Sequence, residues 1–438
     1  MDNKQGTGTE PTVIRVGILA EEPLGWGSGK HFFPAILDGY SWTSGKTSYR
    51  FSTRYLFDTD ILKGELAVSK YDVLVVPGGG VGDGEAIVKG FHSSWKARRW
   101  KKRIVTFIKD GGGYVGICGG AALLTGLSTG DNRTPTTFME RQYHKSSLGI
   151  SCVTSYYNHL ALPIFYLFQK NHPEHVGATG YLFSFAPGET IDGKRIYAAG
   201  APIDFHILRD HPIFSDVPEE AERIRWWGGP ALVIPGDPDR EVTVLARYPK
   251  KELSEDPSTR IRAWRYTGGF RGLLKAFFKA SRLVKEVNDR LKHVFLYAYF
   301  LAGDWECTDK VIDLDYSNKP CITAEVYPNE NNGRILLCAA HPEYMVWRDG
   351  HIEEVEASGF HCLATGLHRW ENIASLSTTV EDELTATWWM VRRFVAWAAK
   401  VPDKHLPPIT KGHITSKERA LLSSIFYDGS IISQMKNI

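Results

Sequence analysis

YVGICGGAALL, residues 114–124, is the stretch on which the reading of the chain turns. Tyr114 to Ile117 read as the end of a buried strand. Gly116, Gly119 and Gly120 permit an abrupt turn around Cys118, and Ala121 to Leu124 open a helix of small and apolar residues. A cysteine held between glycines at a strand-to-helix turn has two readings. It is either a structural thiol in a tight turn or a nucleophile presented at the top of a sheet.

The flanking segments place that turn in an α/β sheet. VIRVGILA (13–20) is a compact apolar run of the kind that forms a parallel strand covered on both faces. YDVLVVPGGG (71–80) is another, ending in a glycine cluster. The basic segment SSWKARRWKKRIVTFIKDGGG follows, with a helical pattern that stops at its glycines. Strand, glycine loop, helix, strand and turn in this order imply right-handed crossovers. Ligands of such sheets gather beyond the carboxyl ends of the strands, where Gly78–Gly80 and Cys118 both fall. The middle of the chain, 151–250, holds short strand-like pieces and reads as antiparallel additions to the same domain.

RILLCAAHPEY (334–344) is the second informative stretch. An apolar strand ends in small residues and delivers His341 and Glu343, which project to the same side if the backbone stays extended. A thiol becomes a better nucleophile beside an imidazole that is itself held by a carboxylate, and near a helix N-terminus. Donors for a developing oxyanion are available from the Gly119 backbone N–H and the glycine loop of residues 78–80.

Composition narrows the alternatives. The chain has 438 residues, 43% hydrophobic and 23% charged, with 52 Lys and Arg against 50 Asp and Glu. A formal charge of +2 supplies no general reason to expect nucleic acid as a partner. Six cysteines without C-x-x-C spacing argue against a zinc knot or disulfide framework, so no metal and no cofactor is expected. The N-terminal stretch lacks a basic region followed by an apolar run, so a cytoplasmic location is expected. Residues 270–298 carry an apolar seam of helical period: Leu273, Phe277, Ala280, Val284, Val287, Leu291, Val294 and Ala298. Basic residues occupy the other faces. This helix is read as packing on the core or on a sister subunit, with a protein partner or an anionic membrane surface as alternatives. Residues 385–400 read as an amphipathic helix.

Strand-PGGG, GICGG and HPE in this order resemble the class I glutamine amidotransferase superfamily. Within it, the chain is most similar to the branch named for the N-terminal domain of certain biotin–protein ligases. The further matching stretches are IKDGGGYVGICGGAALL, HPIFSDVP, IRWWGGPALV and VTVLARYP. The resemblance implies a flavodoxin-like, mostly parallel sheet with helices on both faces, antiparallel additions and a helical insertion. It covers residues 13–250 and 319–400, with 251–318 as the insertion, 1–12 as a disordered tail and 401–438 as a C-terminal tail. It implies Cys118 as nucleophile, His341 as general base and Glu343 as orienting carboxylate, with Gly79, Gly80 and Gly119 as oxyanion donors. RWWGGP (225–230) becomes a loop near a substrate pocket, with Trp226, Trp227, Gly228 and Gly229 lining it; core packing is the other reading of the tryptophans. The implied substrate is a small molecule with an amide or peptide-like carbonyl. The chain departs from glutamine-hydrolysing members at Ala122, where they carry Gln. A second branch pairs the cysteine with a buried acid from near the first strand; Glu21 and Glu22 follow VIRVGILA and either mimic that acid or are solvated residues at a strand end, the reading preferred here. The resulting expectation is a thiol-dependent hydrolase or amidotransferase-like enzyme, with a catalytically silent binding or assembly module as the alternative.

Overall fold

A computed structural model describes residues 10–19, 33–78, 95–128, 147–156, 185–191, 194–199, 201–226, 229–255, 262–266, 270–272, 274–275, 278, 305–311, 316–343 and 387–410. The first half contains β1 (Thr12–Leu19), α1 (Phe33–Leu37), β2 (Ser41–Ser44), β3 (Thr47–Leu56), α2 (Asp58–Lys63), β4 (Val73–Val76), α3 (Trp95–Lys109), β5 (Gly113–Ile117) and α4 (Gly119–Leu124). Short strands follow: β6 (Gly126–Ser128), β7 (Thr154–Tyr156), β8 (Phe185–Ile191), β9 (Lys194–Ala199), β10 (Ala201–Ile207), β11 (Ala221–Trp226), β12 (Ala231–Val233) and β13 (Val242–Arg247). The remainder comprises β14 (Arg262–Tyr266), β15 (Trp305–Val311), β16 (Pro320–Val326), β17 (Arg334–Cys338) and α5 (Trp388–Ala398).

A ten-stranded sheet in the order β11-β10-β13-β16-β17-β5-β4-β1-β3-β2 forms the frame. Its five strands β17, β5, β4, β1 and β3 run parallel. The strands beyond them on each side pair antiparallel. Every residue of β4 and β5 is buried, which explains why both read as continuous apolar runs and not as alternating ones. Their side chains nevertheless alternate between two cores. Val73, Val75, Val115 and Ile117 join the cluster that contains α1 and α5. Leu74, Val76 and Tyr114 join the one that contains Trp100, Ile104, Phe107 and Ile108 of α3. The spacing of those four α3 residues is the helical period, and each fully buried large side chain contributes about 1.5–3 kcal/mol. Helix α3 ends where the Gly112 N–H returns to Phe107 O at 2.9 Å.

Helix α5 differs from expectation. The pattern predicts an amphipathic helix with a wet face, yet every residue of Trp388–Ala398 is buried. The reason lies in Arg392 and Arg393, whose cations are satisfied without water. Arg392 Nε donates to Ile36 O at 3.1 Å, and its guanidinium stands 3.9 Å above the Tyr40 ring. Arg393 donates to Pro407 O at 2.7 Å, to Ile213 O at 2.9 Å and to Asp216 Oδ2 at 2.8 Å. Residues 401–410, the start of the expected tail, supply part of this cover. His405 also accepts the Trp42 indole N–H at its carbonyl (2.8 Å) and meets Tyr49 OH at its ring (2.7 Å).

Within 251–318, β14 and β15 pair antiparallel, so this segment carries a ladder of its own as well as helical residues at 270–272, 274–275 and 278. All eight residues of the apolar seam read over 270–298 lie outside the described residues. Among the described residues no helix is long and apolar enough to cross a membrane.

Candidate active site

Three adjacent parallel strands, β4, β5 and β17, deliver Gly78, Cys118 and His341 beyond their carboxyl ends. Cys118 follows Ile117 directly and adopts φ 47° and ψ −107°. A residue with a Cβ is rarely found there, and such a conformation costs about 1–3 kcal/mol unless the surroundings enforce it. They do so at both ends of the residue. The Cys118 N–H donates to Cys338 O at 2.6 Å, and the Cys118 carbonyl accepts from Ala121 and Ala122 at 3.0 Å each. Gly120 closes the turn against the neighbouring strand: a Cβ there would run into Val76 O.

His341 reaches the same place from β17. Its backbone N–H donates to Arg225 O at 2.7 Å, an isolated antiparallel bridge to β11. Nδ1 of its ring donates to Glu343 Oε1 across 2.8 Å. The position a Cβ on Gly78 would take lies 2.6 Å from both Cys118 Cβ and His341 Cε1. Glycine at 78 is therefore what leaves thiol and imidazole room to face each other. Burial opposes charge on His341, but attraction to Cys118 and Glu343 and hydrogen bonds to both side chains outweigh it, raising the imidazole to about 10. Cys118, His341 and Glu343 are 4%, 1% and 0% exposed. Glu343 Oε2 is buried and has no hydrogen-bond partner among the described residues.

Glu343 is held from a distance. The Trp388 indole N–H donates to Glu343 O at 3.1 Å, and the Thr387 hydroxyl donates to Pro342 O at 2.7 Å. Two more thiols sit nearby in the same core, Cys321 and Cys338, both pushed well above the usual thiol range, chiefly by burial. Cys118, Cys152, Cys321 and Cys338 belong to no disulfide.

The remaining expected site residues divide as follows. Gly119 is the first residue of α4 and is buried. Trp226 is fully buried, edge-on to Tyr248 and Tyr316, and its indole N–H donates to Gly229 O at 3.0 Å. Gly229 is thus folded back on Trp226. Gly79, Gly80, Trp227, Gly228, Glu21 and Glu22 lie outside the described residues. Sequence reasoning named Gly78 only within the glycine loop of residues 78–80 and Arg225 only within RWWGGP, and it did not single out Thr387 or Trp388. Only Gly78 carried a local signal, as first glycine of its cluster. Arg225 is fully buried, and burial lowers its guanidinium to about 9. Among the described residues no group of three or more metal-ligating side chains occurs.

No protein-family model matches the sequence, and no curated protein is significantly similar to it.

Proposed function

We propose that this chain is a thiol-dependent hydrolase or amidotransferase-like enzyme acting on a small amide or peptide-like carbonyl. The observation that carries the reading is the meeting of the strained Cys118 turn with the His341–Glu343 pair at Gly78. The parallel order β3-β1-β4-β5-β17 supports the flavodoxin-like winding and the amidotransferase-like assignment. Four described cysteines outside any disulfide support a reducing, cytoplasmic setting.

In this mechanism the thiol proton passes to His341, and the sulfur attacks the carbonyl carbon. Glu343 stabilises the imidazolium and fixes its orientation through Nδ1. The Gly119 N–H, with those of Gly79 and Gly80, stabilises the tetrahedral oxyanion. His341 then returns the proton to the leaving amine, and water releases the acyl group by the same exchange.

The test is mass-spectrometric labelling of Cys118 by iodoacetamide over a graded pH series. Labelling at neutral pH that moves to higher pH in His341→Ala is expected. Equal neutral-pH labelling in both proteins would sink the mechanism. A second reading, a binding or assembly module without turnover, is favoured by the closure of the site over all three side chains. Absence of labelling in the native protein selects it.

A further inference from the structure

The carboxyl edge of the parallel strands carries more sulfur than the proposed hydrolysis uses. Cys118 stands just past β5, Cys338 is the last residue of β17, and Cys321 is the second of β16, which runs the other way. These are three neighbouring strands, and all three cysteines are buried in one core. The Cys118 N–H donates to Cys338 O at 2.6 Å, which extends the pairing of Ile117 with Cys338 by one step. Adjacent strands lie about 4.7–4.9 Å apart, inside the span of about 4.4–6.8 Å that a disulfide allows between Cα atoms. The Cys338 thiol leans along its strand towards His341, donating to Ala340 O at 3.4 Å. Cys321 is one strand further from Cys118.

Environment divides the roles of the two thiols. Cys118 is hydrogen-bonded to the imidazole of His341, whereas Cys338 is fully buried. Burial first, and then the nearby charges of Cys321, Glu343 and Cys118, push the Cys338 thiol well above the usual range and keep it protonated. A protonated, buried thiol is inert towards dissolved oxidant, but it condenses with a sulfenic acid formed beside it. We propose that Cys338 is the resolving thiol for Cys118 when a hydroperoxide enters the site, an inference that rests on the reading of Cys118 as an activated nucleophile. The Cys118 sulfur attacks the peroxide and the O–O bond breaks. Cys118 becomes a sulfenic acid, and water or an alcohol leaves with the proton held by His341. The Cys338 sulfur then attacks the Cys118 sulfur, and its proton departs with the hydroxyl as water. The two sulfurs have lost two electrons and the peroxide has gained them. The product is a Cys118–Cys338 disulfide, which a dithiol reduces, and it keeps the nucleophile from the irreversible sulfinic and sulfonic acids.

Non-reducing peptide mapping of the full-length chain after exposure to excess hydrogen peroxide tests this. A peptide linking Cys118 to Cys338 should form, labelling of Cys118 by iodoacetamide should be lost, and dithiothreitol should restore it. In Cys338→Ser the same exposure should carry Cys118 to sulfinic acid, with labelling that dithiothreitol does not restore. Cys321→Ser should behave as the native chain. A link from Cys118 to Cys321 overturns the resolving role, as does restoration in Cys338→Ser that equals the native chain's. No link in a chain whose Cys118 labels normally before peroxide overturns it too, and leaves the hydrolase reading standing. Absence of labelling before peroxide overturns both. The linked peptide is read in the unsubstituted chain, so the test holds if Cys338→Ser does not fold.

Discussion

The carboxyl ends of β5 and β17 lie side by side in parallel register, with Ile117 against Cys338, and each delivers a side chain of the candidate site to the same place by different means. At the end of β5 the chain turns at once. Cys118 takes a left-handed φ, and its supports, Ala121, Ala122 and Cys338, are neighbours in sequence or on the adjoining strand. At the end of β17 the backbone runs on through Ala339 and Ala340, and His341 is fixed by partners that come from afar: Arg225 on β11, and Glu343, which Trp388 pins from α5. Local geometry stores strain in one arm, and tertiary packing sets the other. The position of Cys118 is therefore set by its own turn and the adjoining strand, whereas that of His341 is set by partners from β11 and α5.

Gly120→Ala attacks the local arm, because the new methyl meets backbone at Val76 O and neither side has a rotamer to give. A loss of about 3 kcal/mol in urea unfolding is expected. Gly78→Ala acts on the junction of the arms. Its methyl would sit 2.6 Å from both Cys118 Cβ and His341 Cε1, so the pair must separate. The rate of Cys118 alkylation at neutral pH should fall about 10²-fold, the usual effect of a displacement near 1 Å.

Glu343→Gln weakens the distant arm electrostatically. His341 sits at about 10, above the ordinary 6.5, so its contribution to stability is complete below pH 6.5 and is lost as pH rises towards 10. Removing the Glu343 charge should lower that upper limit by about one unit or more, worth about 1.4 kcal/mol, and should end the loss at lower pH. Nuclear magnetic resonance titration of the His341 ring, with unfolding measured across the same range, checks both. Trp388→Phe is the mildest change. It keeps the ring in the core but removes the donor to Glu343 O, for a loss of about 1 kcal/mol seen as a small drop in melting temperature. If that variant instead abolished Cys118 labelling, the distant arm would be more fragile than packing implies.

The same contrast explains what could be read from the residues alone. The central strands, the α3 helix and the Cys118 turn were legible because apolar runs and glycines act over a few positions. His341 and Glu343 were legible as a pair because they stand two apart after an apolar strand, although the backbone at 342–343 turns where an extended stretch was read. Their anchors were not. Nothing near Trp388 marks it as a support for a carboxylate 45 positions earlier. Period counting gave residues 385–400 as an amphipathic helix because it has no way to weigh carbonyls arriving at Arg392 and Arg393 from Ile36, Ile213 and Pro407. The β14–β15 ladder was hidden for the same reason, since its two strands are far apart in the chain and each is short.

Trp388 and Thr387 hold the peptide that carries Glu343, and they are made long after Cys118. On a ribosome the cysteine emerges first, with neither its imidazole nor its carboxylate yet in existence. The assembled trio thus belongs only to a polypeptide in which α5 has been made and has docked.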